Sequence, residues 1–238
     1  MRLDKFLCDL QLGTRSQVKE YIKKGNITVN DMVIKKPDYK ISESDDTITY
    51  KGKVLAYQSL YYYMLHKPSG VVTATKDNHD RTVMDLIADA PGRNLFPVGR
   101  LDKDTVGLLL ITNDGELAHN LLSPRKHVAK TYYVECSGTI NVDKIKALEQ
   151  GIDIGDAELT LPAKAELLSQ SDDSYTINLT IMEGRFHQVK RMIAAIGGAV
   201  TYLKRLSMGS LVLNKDLPEG KYRSLTKKEI TDLKSNNN

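Results

Sequence analysis

Two segments of the chain carry side chains of the kinds that act on substrates. The first is residues 99–115, GRLDKDTVGLLLITNDG, where Arg100, Asp102 and Asp104 stand just ahead of Thr105-Val106-Gly107 and the apolar run Leu108–Ile111. A short apolar run bounded by turn residues reads as a buried strand. It would deliver a loop with one Arg and two Asp to the end of a sheet, where loops on a rigid scaffold carry function. A carboxylate there can act as nucleophile or proton acceptor. The second segment is residues 183–197, EGRFHQVKRMIAAIG. Gly184 permits close backbone approach. Arg185, His187, Lys190 and Arg191 spread cations around a helix start, while Val189, Met192, Ile193 and Ile196 make the core face. Such a helix start attracts phosphate or carboxylate. A third, shorter segment, Lys130-Thr131-Tyr132, opens a strand. Taken singly, each also fits a plain structural role: charges in a connection, a basic amphipathic helix, a hydrogen-bonded histidine, a packing tyrosine.

The elements that must position these residues are legible as periodicities. Leu3, Phe6, Leu7 and Leu10 fall on one helical face, so Arg2–Leu10 reads as a helix. Thr14-Arg15-Ser16-Gln17 is a capping box opening a second helix that buries Val18, Tyr21 and Ile22, exposes Arg15, Lys19, Lys23 and Lys24, and stops at Gly25. Asn30-Asp31 between Ile27-Thr28-Val29 and Met32-Val33-Ile34 reads as a tight hairpin, and Thr47–Tyr50 as a strand; Met32 and Tyr39 are expected in the core. Lys51–Ser59 is the expected linker. Beyond it, strands are expected at Tyr61–His66 and Val71–Thr75 around a Lys67-Pro68-Ser69-Gly70 turn, and at Leu108–Thr112, Lys130–Cys136, Tyr175–Met182, Val200–Met208 and Leu211–Leu213. Helices are expected at Glu116–Leu122, Val142–Gln150, His187–Ile196 and after the Thr226–Glu229 cap, with Ser235–Asn238 as a frayed tail. This irregular mixture favours an α+β fold with a mixed, mainly antiparallel sheet over a doubly wound parallel one.

Composition bounds the class. The 238 residues suit one medium domain plus a small one. No apolar run approaches the roughly 18 residues of a membrane span, and the N-terminus does not read as a signal peptide, so a cytoplasmic location without membrane association is expected. Cys8 and Cys136 are isolated, and no CxxC, GxGxxG or phosphate-binding glycine loop occurs, so neither metal nor cofactor is expected. The net charge is +4, and residues 1–40 alone hold nine Lys and Arg against five Asp and Glu. A basic face of that kind fits polyphosphate binding.

Taken together, GRLDKDTVGLLLITNDG, KTY and EGRFHQVKRM resemble, in order and spacing, the three signatures of the pseudouridine synthase family, in the form used by its RsuA branch. Residues 1–50 resemble the S4 RNA-binding domain that this branch carries. The resemblance covers essentially the whole chain and is nearest to the branch's small-subunit (16S) ribosomal RNA enzymes. It implies an S4-like domain over residues 1–58, with the linker from about residue 51, and a catalytic domain over residues 59–238. It also implies isomerisation of a uridine in 16S rRNA without cofactor or metal. Asp102 would be the reacting carboxylate, attacking C1′ or C6 or stabilising charge at C1′, with Asp104 its competitor. Arg185 would pair with Asp102, and Tyr132 would stack on the base or handle a proton. Because the target uridine must be flipped from its stack, Arg100 is expected to fill the gap or stack beside it. His187, Lys190 and Arg191 would contact RNA near the site. Arg2, Arg15, Lys19, Lys23 and Lys24 would grip phosphates. The expected partner is ribosomal RNA in an assembling small subunit, met by a monomer. The alternatives are the same chemistry on 23S rRNA, a non-catalytic assembly factor, and a two-carboxylate glycosidic hydrolase.

Overall fold

The computed structural model describes residues 1–42, 45–55 and 60–235. It divides into two compact units, Met1–Leu60 and Tyr61–Asn238.

In the first unit, α1 (Leu3–Asp9) and α2 (Arg15–Lys23) pack on a sheet of order β2-β1-β3-β4, made of β1 (Ile27–Val29), β2 (Met32–Val33), β3 (Ile48–Tyr50) and β4 (Lys53–Val54). Leu3, Phe6, Leu7, Val18, Ile22 and Ile27 form its core. The capping box is reciprocal: the Gln17 amide donates to Thr14 Oγ1 (3.4 Å) and the Thr14 amide to Gln17 Oε1 (2.9 Å). Asn30 and Asp31 both have positive φ, 49° and 64°, which gives the hairpin the twist its strands require. Two expectations are corrected. Met32 is 60% exposed, on β2, the edge strand of its sheet. The expected linker, Lys51–Ser59, contains β4, which pairs with β3 through Thr49 and Tyr50; residues 56–59 of it lie outside the described residues.

The second unit is built on a sheet of order β13-β5-β7-β11-β8-β10-β9. Its elements are β5 (Tyr62–Lys67), β6 (Phe96–Pro97), β7 (Val106–Thr112), α3 (Gly115–Leu122), β8 (Lys130–Ser137), α4 (Val142–Gln150), β9 (Lys164–Gln170), β10 (Ser174–Ile181), α5 (Gln188–Ala195), β11 (Ala199–Met208), β12 (Leu211–Val212), β13 (Tyr222–Ser224) and α6 (Lys227–Ser235). Every pairing in it is antiparallel except β7 with β11. The unit is thus the α+β mixed sheet expected from the sequence. β7 is buried on both faces, which is why it reads as a continuous apolar run rather than an alternation. Leu109 and Ile111 join the core that also holds α5, through Val189, Met192 and Ile193. Leu108 and Leu110 join the opposite core with Leu117 and Leu121 of α3 and Leu233 of α6.

Val71–Thr75, expected as a strand, forms only an isolated bridge, Val72 with Thr82. Its polar groups are satisfied locally, as in Thr73 Oγ1 donating to the Leu101 carbonyl (2.8 Å). Ser235 belongs to α6, whose start is capped as expected by Thr226 and Glu229; residues 236–238 lie outside the described residues.

Candidate active site

A cleft of about 390 Å³ opens in the second unit. Its lining includes Arg100 and Asp102 from the loop before β7, Lys130 and Tyr132 from β8, Arg185, His187 and Lys190 from the α5 segment, and Arg205 from β11. All three segments singled out in the sequence therefore meet on one cavity. They meet because β11 is hydrogen-bonded to β7 on one side and β8 on the other, with Arg205 in register with both Gly107 and Tyr132. Gly107 has φ +107°, and a Cβ there would collide with the Arg205 backbone, so only glycine permits this approach.

The Asp102 carboxylate is held from α5. His187 Nε2 lies 3.4 Å from Oδ1 and Lys190 Nζ 3.1 Å from Oδ2. Lys190 also donates to both oxygens of Asp104, at 2.7 and 2.9 Å. Burial works against the Lys190 charge, but the bonds to Asp104 and Asp102 prevail and raise its pKa above the ordinary lysine value. Asp104 is pulled below the usual carboxylate range by its bond to Lys190. The Asp104 side chain is 69% exposed against 28% for Asp102, so Asp102 is the carboxylate built into the wall.

From behind, Lys67 fixes the same loop. Its side chain is completely buried, and Nζ donates to the carbonyls of Asp102 (2.9 Å), Lys103 (3.2 Å), Thr105 (2.8 Å) and Pro68 (3.2 Å). Burial pushes its pKa down to about 8, against the opposing pull of Asp104 and Asp102.

Arg185 does not pair with Asp102, contrary to expectation. Its guanidinium donates to Glu183 Oε2 (2.9 Å), Asp156 Oδ2 (3.4 Å), and the carbonyls of Glu158 (2.7 Å) and Leu159 (2.8 Å). Glu183 in turn accepts from the Leu161 amide and Gln188 Nε2. Arg185 thus braces the turn before α5 against residues 156–161, and its donors are taken up by these acceptors rather than by Asp102. Arg191 is spent similarly on Asp156 (2.6 and 3.2 Å) and the Phe186 and Ile154 carbonyls, so its donors are turned inward rather than toward a ligand. His187 is in the left-handed region, φ 47°, and stacks on Phe186 at 3.8 Å; Phe186 itself is 76% exposed. Tyr132 is buried in the cleft wall and Arg100 is exposed at its rim.

The family described as RNA pseudouridylate synthase matches residues 61–195, and the S4 domain matches residues 1–47. The chain belongs to the RNA pseudouridylate synthase family. The synthase is 44% identical to the Bacillus subtilis protein named uncharacterized RNA pseudouridine synthase YtzG, over 97% of both chains. It is 40% identical to a Vibrio cholerae protein named ribosomal small subunit pseudouridine synthase A, over 98% of this chain and 99% of the other. A crystal structure of a pseudouridylate synthase matches it with a TM-score of 0.68 at 38% identity, covering 98% of this chain and 99% of that one.

Outside the cleft, the synthase spends two of the five cations expected on phosphate within its own first unit. Arg2 is held by Asp4 (3.0 and 2.7 Å) and Lys24 by Glu20 (2.6 Å). Arg15, Lys19 and Lys23 are exposed on α2. Sequence reasoning gave no role to Lys67 or Arg205, and read Lys130 only as the first residue of the Lys130-Thr131-Tyr132 segment. Lys67 closes β5, Lys130 opens β8 and Arg205 lies inside β11; basic residues at such positions are usually on surfaces, which hid their burial. Among the described residues no helix is long and apolar enough to cross a membrane.

Proposed function

We propose that this synthase converts a uridine to pseudouridine in 16S ribosomal RNA, acting in the cytoplasm as a monomer on an assembling small subunit, with Asp102 as the reacting carboxylate. The observation that carries the assignment is the seating of Asp102: walled into the cleft, gripped by His187 and Lys190, and fixed through its own carbonyl by Lys67. The small-subunit substrate is suggested by the Vibrio cholerae relative's name.

The N1–C1′ bond breaks with its electron pair on the base, leaving C1′ electron-poor beside the carboxylate. The base turns, C5 supplies the pair for the new C5–C1′ bond, the C5 proton is lost to water, and N1 takes one up. The sum is an isomerisation that consumes nothing. Asp102 serves this by attack or by charge stabilisation at the sugar. Lys190 and His187 orient it, Tyr132 stacks on the base or handles a proton, and Arg100 fills the space the flipped nucleotide leaves. Arg185 is a positioning residue that holds the α5 turn in place.

Pseudouridine mapping on 16S and 23S transcripts and ribosomal particles tests this. One modified uridine in 16S RNA, lost in Asp102→Asn, is expected. A site in 23S RNA would replace the substrate, and RNA binding without modification would indicate an assembly factor.

A further inference from the structure

Arg205 lies in β11 at the cleft, with 2% of its surface exposed. Its Nε donates to the Leu108 carbonyl (2.8 Å), but neither terminal nitrogen has a partner among the described residues, and Nη2 is entirely buried. Lys130, also nine-tenths buried and lining the cleft, donates one bond, to the Val128 carbonyl (2.9 Å). No carboxylate among the described residues ion-pairs with either. Burying an unpartnered cation costs several kcal/mol, and an apolar side chain of similar length would fold at least as well. Two such cations on one cleft wall make sense only if an acceptor enters between them.

We propose that Arg205, backed by Lys130, binds a carbonyl oxygen of the target uracil. The inference rests on the assignment of the cleft to pseudouridine formation. Two features favour the base over a phosphate. Arg205 lies in the sheet in register with Tyr132, the expected base-stacking residue, whereas the cation exposed at the rim is Arg100. The donors are also of one kind. Uracil presents acceptors at both O2 and O4, whereas cytosine presents an amino donor at position 4; a contact at O4 would set donor against donor with cytosine and reject it, while a contact at O2 would not discriminate. The same contacts strengthen as N1–C1′ breaks, because the departing pair spreads onto O2 and O4.

Single-turnover rates on 16S transcripts containing uridine, 2-thiouridine or 4-thiouridine test this, with Arg205→Met, Arg205→Lys and wild type compared alongside thermal melting. Arg205→Met is expected to lose about 100-fold or more in rate with unchanged melting temperature and RNA affinity, and Arg205→Lys to recover part of it. One of the two thio-substitutions should slow the wild type but not Arg205→Met. Wild-type rates indifferent to both substitutions, or Arg205→Met turning over within about threefold of wild type, would overturn the proposal while leaving the parent assignment standing. The thio comparison on wild type decides even if Arg205→Met fails to fold. Transcripts and particles that the wild type never modifies would overturn both.

Discussion

Lys190 bridges two carboxylates, lying 3.1 Å from Asp102 Oδ2 and 2.7 Å from Asp104 Oδ1. The two contacts have different consequences. Lys190→Met should lower single-turnover rate by about 10²-fold, because Asp102 loses its closest oriented cation. Asp104→Asn should cost less than about fivefold, since its side chain is mostly solvated and exposed ion pairs contribute little. Equal losses in the two variants would mean that Asp104, not Asp102, is what Lys190 serves.

Lys67 should couple pH to both stability and turnover, in opposite senses. Its folded-state pKa of about 8 lies below its ordinary value of 10.5. Between those values the unfolded chain binds more protons, so the group's contribution to stability is least favourable below pH 8 and improves as pH rises. Turnover should fall over the same range, because a neutral amine has one donor fewer for the loop carbonyls. Unfolding free energies from about pH 7.5 to about pH 10 should therefore rise less in Lys67→Met than in wild type. Lys130, also held at about 8 by burial and by Arg205, supplies the slope that remains.

Gly107→Ala should be severely damaging. The added Cβ meets the backbone N, C and O of Arg205 at a φ of +107°, where no flexible side chain can yield. A loss of more than about 3 kcal/mol is expected by chemical denaturation, or insoluble expression.

Glu229 accounts for part of the acid limb of the stability curve. Its bond to Arg223, with further bonds to Thr226, holds its pKa at about 2, down from 4.5, against the opposing effect of burial. The stabilisation is complete above pH 4.5 and is lost as pH falls toward 2. Glu229→Gln should lose about 1 kcal/mol at neutral pH and show a flatter acid limb in urea titrations.

The first unit's contribution to RNA binding should appear in salt dependence. Replacing Arg15, Lys19 and Lys23 with Gln should reduce the slope of log K against log salt by about 2, at roughly 0.7 per phosphate contact on single-stranded RNA. Replacing Arg2 and Lys24 should change it less, because Asp4 and Glu20 already hold them.

The sequence made the helices and inner strands visible because each carries one strong period: β10 alternates buried and half-buried residues, and β7 is apolar throughout. Strand β9 left no such trace because, as an edge strand, it exposes nearly every residue, and β6 and β13 are too short to show a period. In the cleft, the meeting of Asp102, Tyr132 and the α5 segment was legible. Arg185's partners beyond Glu183 were not, because Asp156, Glu158 and Leu159 lie 26 to 29 residues away and reach it only through the loop ahead of β9. Lys67 and Arg205 stayed hidden for a related reason. A charge placed inside a sheet becomes informative only when its neighbours, or their absence, can be counted.

The position of β11 has a consequence for biosynthesis. The strands before it form two separate sets, β5 and β6 with β7 and β8 with β10 and β9, and among the described residues no hydrogen-bonded ladder joins one set to the other until β11 enters between them. Asp102 belongs to the first set and Tyr132 to the second. A nascent chain whose residues 199–208 are still inside the ribosome therefore has both halves of the cleft and no cleft. Pairings so distant in sequence are slow to form, and the seam between the sets is an open pair of sheet edges while they wait. Catalytic competence arrives in one late step, when a single strand closes the gap.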